Sequence, residues 1–231
     1  MDMVTVTRMD EPDKTQALVR LLTWLSPAFP IGAFSYSGGL EQAIHEGLIA
    51  DAPGLSAWLK TVVVSGTGWN DAVLLAESYR SVDDPARLLS VRELAIALAG
   101  SRERHMETTL QGEAFLSAAA HWPHPGLDTL LGTAPYPVAV GAVAGMHRTG
   151  LAAALAAYLH AQASNSVSVA IRCGVMGQRD GVGILAALEP AIGDVAKRAA
   201  ESTLDDLGSA TVMADIASLK HETLHSRLFR S

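Results

Sequence analysis

The chain has 231 residues, 49 % hydrophobic and 18 % charged, which excludes a disordered or polyelectrolyte chain and is ample for a sizeable core. Seventeen basic against 24 acidic residues leave a net charge of −7, with no basic face for nucleic acid and no polybasic segment for anionic lipid. The single cysteine, Cys173, excludes an intrachain disulfide scaffold, and aromatics at 5 % leave an apolar content dominated by alanine, leucine and valine, a helix-favouring mix.

Met1 to Asp13 has neither the basic start nor the apolar run of a signal peptide, and reads as a flexible N-terminus over 1–13. Leu18, Leu21, Leu22 and Leu25 then fall at helical spacing and predict a helix over about 14–25, stopped by Pro27. Residues 27–39, PAFPIGAFSYSGG, hold two prolines, three glycines and three aromatics. This predicts a structured loop anchored by buried aromatics, with Pro30, Gly32, Phe34 and Gly39 as its structural positions and Tyr36, Ser37 and Glu41 facing out.

A helix over 40–48 follows, with Glu41 in its first turn. Asp51-Ala52-Pro53 starts the next, which Gly66 to Gly68 breaks. Asn70 or Asp71 is expected to cap a helix carrying Leu75 and Tyr79, and Asp84-Pro85 starts one carrying Leu88, Val91, Ala95 and Leu98. In Ser101 to Ala120 the charges of Arg102, Glu103, Arg104, Glu107 and Glu113 read as a solvated helix face. Residues 121–137 read as a linker, followed by helices over 138–146, 151–163 and 164–175. A glycine-containing loop over 177–181, segments over 183–188 and 192–207, and a last helix from about Thr211 complete the chain. The long uncharged stretches are broken by proline, glycine and polar residues, so none is an apolar span of about 20 residues, and the chain is expected to be soluble and cytoplasmic.

The one sharp motif match is His221-Glu222-Thr223-Leu224-His225, the H-E-x-x-H of a zinc metallohydrolase. Only Ser226 to Ser231 follow, none of them a zinc ligand, so a third ligand would have to come from upstream, where nothing points to one. Residues 174–183 are glycine-spaced but are not a phosphate loop, and Ser35 sits in no nucleophile elbow. Cys173 lies among apolar residues and reads as an inert thiol. No catalytic centre, cofactor site or metal site emerges, which favours a binding or chaperone role.

Four blocks carry a family resemblance. Leu22 to Glu41 (LTWLSPAFPIGAFSYSGGLE), Ser101 to Glu107 with Gly112 to Phe115, Ala170 to Gly181 (AIRCGVMGQRDG) and Ile216 to Ser231 (IASLKHETLHSRLFRS) together resemble, in order, the signatures of the urease accessory protein UreF family. That family keeps the His221-Glu222 pair but commonly has an aromatic at the position of His225, which speaks against the zinc reading. The resemblance implies an all-α, UreF-like single-domain bundle of roughly ten helices over 14–225, followed by a C-terminal tail over 226–231. It implies a homodimer that is not itself an enzyme. It also implies an adaptor that binds UreD (also called UreH), recruits the GTPase UreG and acts on urease apoprotein, coupling GTP hydrolysis to nickel insertion. On this resemblance Glu41 and Arg172 face the GTPase, with Tyr36, Ser37, Gln178 and Asp180 extending that surface. The tail, through Arg227, Leu228, Phe229 and Arg230, is expected to become ordered on binding UreD, with Phe229 as anchor. His45, His221 and His225 are candidates for transient nickel contact.

Overall fold

The computed structural model describes residues 13–130 and 134–231; residues 1–12 of the N-terminal segment and 131–133 of the expected linker lie outside the described residues. The described residues form ten α-helices and no strand. They are α1 (Lys14–Trp24), α2 (Leu40–His45), α3 (Ala52–Ser65), α4 (Thr67–Arg80), α5 (Pro85–Ala97), α6 (Arg102–Ala119), α7 (Tyr136–Met146), α8 (Leu151–Arg172), α9 (Gln178–Glu201) and α10 (Val212–His221). One continuous core runs through all of them, so the all-α, single-domain expectation holds.

Local chemistry sets most helix starts. The side chains of Asp13, Asp51, Asp84 and Ser101 accept hydrogen bonds from Thr15, Gly54, Arg87 and Arg104 N–H, and cap α1, α3, α5 and α6. Pro53 and Pro85 sit in first turns, where the missing N–H costs nothing. The centre is α7, in which every residue is buried. It lies hard against α4: a Cβ on Gly141 would stand 2.3 Å from Leu75 O, and one on Gly145 2.5 Å from Tyr79 O. Small residues let the two backbones meet, and α3, α6, α8 and α9 close around the pair.

Four departures from the sequence reading have identifiable causes. The helix after Gly66 starts at Thr67, so neither Asn70 nor Asp71 caps it; Asn70 instead accepts Gly208 N–H at 2.9 Å and Asp71 turns inward. The helices expected over 151–163 and 164–175 are one, α8. Its Ser164-Asn165-Ser166 cluster does not break it, because Ser166 Oγ donates back to Gln162 O and Asn165 Nδ2 donates to Tyr36 O. The glycine loop over 177–181, the segment over 183–188 and most of that over 192–207 merge into α9, which ends at Glu201. Pro190 lies within α9 on its exposed side, where water can satisfy the freed carbonyl, while Ile184, Leu188, Ile192, Val195 and Ala199 keep an unbroken buried stripe. The fourth concerns α6: Arg102 and Glu113 are exposed as expected, but Glu103 and Glu107 are buried and, with the partly buried Arg104, line an interior network.

Candidate functional site

The N-terminal signature loop is shaped by three glycines with left-handed backbone: Gly32 (φ 71°), Gly38 (φ 60°) and Gly39 (φ 83°). Gly39 matters twice, because it also caps α2 and packs on α10; a Cβ there would stand 2.6 Å from Ser218 N. Phe29 is buried against Phe115 and Trp122, as expected of an anchor. Phe34 is not: it is 67 % exposed, while its carbonyl accepts Arg172 Nη1 at 2.6 Å. Pro30 is exposed as well. Tyr36, Ser37 and Glu41 point inward, at 4 %, 7 % and 7 % exposure, against the outward placement expected of them.

The reason is the tail. Residues 226–231 fold back on the domain and cover the loop. Ser37 N–H donates to Ser231 O at 2.7 Å, with Ser37 Oγ on the same oxygen, and Arg230 N–H donates to Ser35 O at 2.8 Å. Glu41 accepts the N–H groups of Leu228 (2.7 Å) and Phe229 (3.1 Å). Phe229 is buried beneath the Arg172 guanidinium, which stacks 4.2 Å from its ring centroid. Thus Phe229 is an anchor, but within its own chain. Leu228 remains 63 % exposed, and Arg227 and Arg230 are also exposed.

Beneath the tail two buried polar clusters meet. In the first, His221 lies wholly buried between two carboxylates, with Nδ1 2.7 Å from Glu103 Oε2 and Nε2 3.1 Å from Glu41 Oε2. Glu103 also takes Arg227 Nη1 at 2.5 Å. In the second, Asp71 Oδ2 accepts Arg104 (2.7 Å), Tyr158 OH (2.9 Å) and Gln162 Nε2 (2.6 Å). Arg104 reaches on to Glu107, which accepts Ser231 Oγ at 2.9 Å. Burial pushes the Glu107 carboxyl above the usual range, and burial beside the Asp71 charge does the same to the Tyr158 hydroxyl. A cavity of about 600 Å³ opens beside this second cluster and is lined by Asp71, Arg104, Gln111 and Asn165, among others. Sequence reasoning missed His221, Glu103, Asp71 and Arg104 as one interior system, because nothing in sequence spacing links α4, α6 and α10.

Arg172 ends α8, and Gln178 and Asp180 open α9 after a five-residue connection; all three are exposed. The H-E-x-x-H match is dismantled by the fold. α10 stops at His221, and His225 lies exposed beyond the helix end, so the two imidazoles do not share a helical face. Among the described residues no three His, Cys, Asp or Glu side chains are grouped to hold a metal ion. Cys173 is half-buried, and its thiol is pushed up by burial and then by the Glu41 charge, as suits an unreactive thiol. No described helix is long and apolar enough to cross a membrane.

Outward, α10 presents an apolar row of Val212, Met213, Ile216 and Leu219, each more than a third exposed. With Leu228 these residues make apolar surface on the element that carries the tail.

The UreF family profile matches residues 49–189. The chain is 67 % identical over 223 residues to the urease accessory protein UreF of Sinorhizobium medicae, covering 96 % of this chain and all of that protein. Against its namesake from Rhizobium meliloti the figures are the same, and that of Rhizobium leguminosarum bv. trifolii is 62 % identical over 216 residues, covering 94 % of this chain and 97 % of the relative.

Proposed function

The chain belongs to the UreF family of urease accessory proteins, and from that premise we propose that it is a non-catalytic adaptor in urease maturation. It joins UreD (UreH) and the GTPase UreG on urease apoprotein and couples GTP hydrolysis to nickel insertion, in the cytoplasm and as a homodimer. The observation that carries the reading is near-complete likeness to relatives named as urease accessory proteins. Two surfaces suit two partners.

The UreD-facing surface is α10 and the tail. Its outward apolar row and Leu228 offer desolvation energy, and Arg227 and Arg230 at the rim offer charged contacts. Phe229 contributes indirectly, by holding the tail in the shape presented. The UreG-facing surface is the junction of α8 and α9, where Arg172, Gln178 and Asp180 are exposed. Tyr36, Ser37 and Glu41 are buried beneath the tail, so their part is to set that surface from below. Oriented charges at such a junction supply selectivity and association rate more than affinity.

Co-purification with UreD and UreG tests the reading. Leu228→Asp is expected to weaken UreD capture at unchanged thermal stability, and Arg172→Ala to leave UreD capture intact while weakening UreG recruitment. Full urease activation by both variants would refute the surface assignment. Stoichiometric zinc in the purified chain, lost on His225→Ala, would instead support the metallohydrolase alternative.

A further inference from the structure

The His221 cluster contains one more hydrogen bond than a neutral imidazole can make. Both ring nitrogens lie against carboxylate oxygens, at 2.7 Å (Glu103) and 3.1 Å (Glu41). An ionised carboxylate only accepts, and a neutral imidazole carries a single N–H. Every other contact of these two carboxylates is also with a donor: Leu228 and Phe229 N–H on Glu41, and the Arg227 guanidinium on Glu103. The cluster therefore closes only with one proton beyond the neutral ring, held on the ring or shared with a facing oxygen.

Charge balance says the same. Glu41 and Glu103 are each 9 % exposed at the side chain and His221 is 0 % exposed. With the extra proton, two carboxylates balance one imidazolium and one guanidinium; without it, a net negative charge stays buried and a ring lone pair faces an oxygen. Unbalanced buried charge is costly, and a chain end that can lift away is the cheapest relief.

We propose that His221 is the proton-holding keystone of the tail, so that loss of this one proton releases residues 227–231 from the loop. The step moves only a proton: an N–H bond of the cluster breaks, its electron pair stays on the ring nitrogen, and the proton passes to water or buffer base. Glu41 then loses the two tail N–H groups it accepts, and water takes their place. Phe229 leaves the Arg172 guanidinium. Because the docked tail binds one proton more than the released tail, docking weakens as pH rises through the loss of that proton.

The charged groups around the cluster are Glu41 on α2, Glu103, Glu107 and Arg104 on α6, Asp71 on α4, Arg172 on α8, and Arg227 and Arg230 in the tail. Outside them lie the Lys220–Glu46 pair (2.8 Å), Glu222, which accepts Arg102 N–H, and the exposed His45 and His225. None of these outer groups contacts the imidazole nitrogens. The inference rests on tail geometry alone and stands apart from the adaptor reading, since its test contains no partner.

The test follows the His221 ring nitrogens by NMR and the tail by amide hydrogen exchange, on the full-length protein across pH. The expected result is a doubly protonated ring pattern while the tail is protected. Tail protection should then fall by up to about tenfold per pH unit over the range in which the docked tail holds that proton and the released tail does not. Glu103→Gln is the decisive variant. Its amide N–H can donate to Nδ1 and its oxygen can still accept Arg227, so a neutral ring is satisfied and tail protection should become flat with pH. His221→Gln should give lower and equally flat protection. A neutral ring with a protected tail, or equal pH slopes in the wild type and Glu103→Gln, would overturn the proposal; if His221→Gln fails to fold, the Glu103→Gln comparison still decides.

Discussion

Glu41→Gln removes a charge at nearly constant shape and isolates what holds the tail. In the wild type the carboxylate accepts three hydrogen bonds, from Leu228 N at 2.7 Å, Phe229 N at 3.1 Å and His221 Nε2 at 3.1 Å. An amide keeps one accepting oxygen and turns an NH2 toward a donor, so at least one of the three is lost and the others lose their ionic partner. Hydrogen bonds to a charged group contribute about 1.5–3 kcal/mol each, so we expect a net cost of about 2–4 kcal/mol. That corresponds to a roughly thirty- to nine-hundredfold larger opening constant for the tail. The cost is local, because the tail can lift away before the helical core is disturbed. Hydrogen exchange should therefore show amides of 227–231 losing protection while those of the buried α7 keep theirs. Near-native tail protection, or α7 losing protection in step with the tail, would refute the assignment of Glu41 as the local clasp.

Three further outcomes follow from the structure. Gly39→Ala places a Cβ 2.6 Å from Ser218 N at a positive φ, so α10 must shift; thermal melts should drop by a few kcal/mol, more than the roughly 1 kcal/mol of backbone strain alone. Asp71→Asn removes the charge that Arg104 faces at 2.7 Å in a buried network and leaves it Glu107 at 3.5 Å, so it should destabilise by about 2–3 kcal/mol in denaturant titration. His147 is held below its usual range by burial and then by the Arg20 charge, so on acidification the unfolded chain takes up a proton before the folded protein does. Stability should therefore fall as pH drops below the usual histidine range, and melts of His147→Gln against wild type at mildly acidic and neutral pH should show a gap that changes with pH in that direction.

Much of the architecture was legible in the chain. Helix starts at Asp51-Ala52-Pro53, Asp84-Pro85 and Ser101 appear where the capping chemistry puts them, because a cap acts within a few residues and needs no tertiary partner. Helix continuity was less legible. Whether Ser164-Asn165-Ser166 interrupts α8 depends on what those side chains find, and Asn165 finds the carbonyl of Tyr36, which is remote in sequence. Pro190 likewise looks like a stop, yet it is tolerated because it falls on the exposed side of α9.

The sequence by itself determined the all-helical class, the family and the importance of its two terminal signatures. It did not determine how those signatures relate. Glu41 and Arg172 read as surface charges and Phe229 as an exposed apolar end, because residue type alone assigns carboxylates outward and free hydrophobes to partners. Only the folded chain lays Ser226 to Ser231 across the loop of residues 27–39. There it turns one supposed contact residue into a buried clasp, stacks another on Phe229, and places His221 between Glu41 and Glu103. The physical reason is that pairing buried charges requires groups from α2, α6, α10 and the tail to converge, and convergence in space is a property of packing rather than of local pattern.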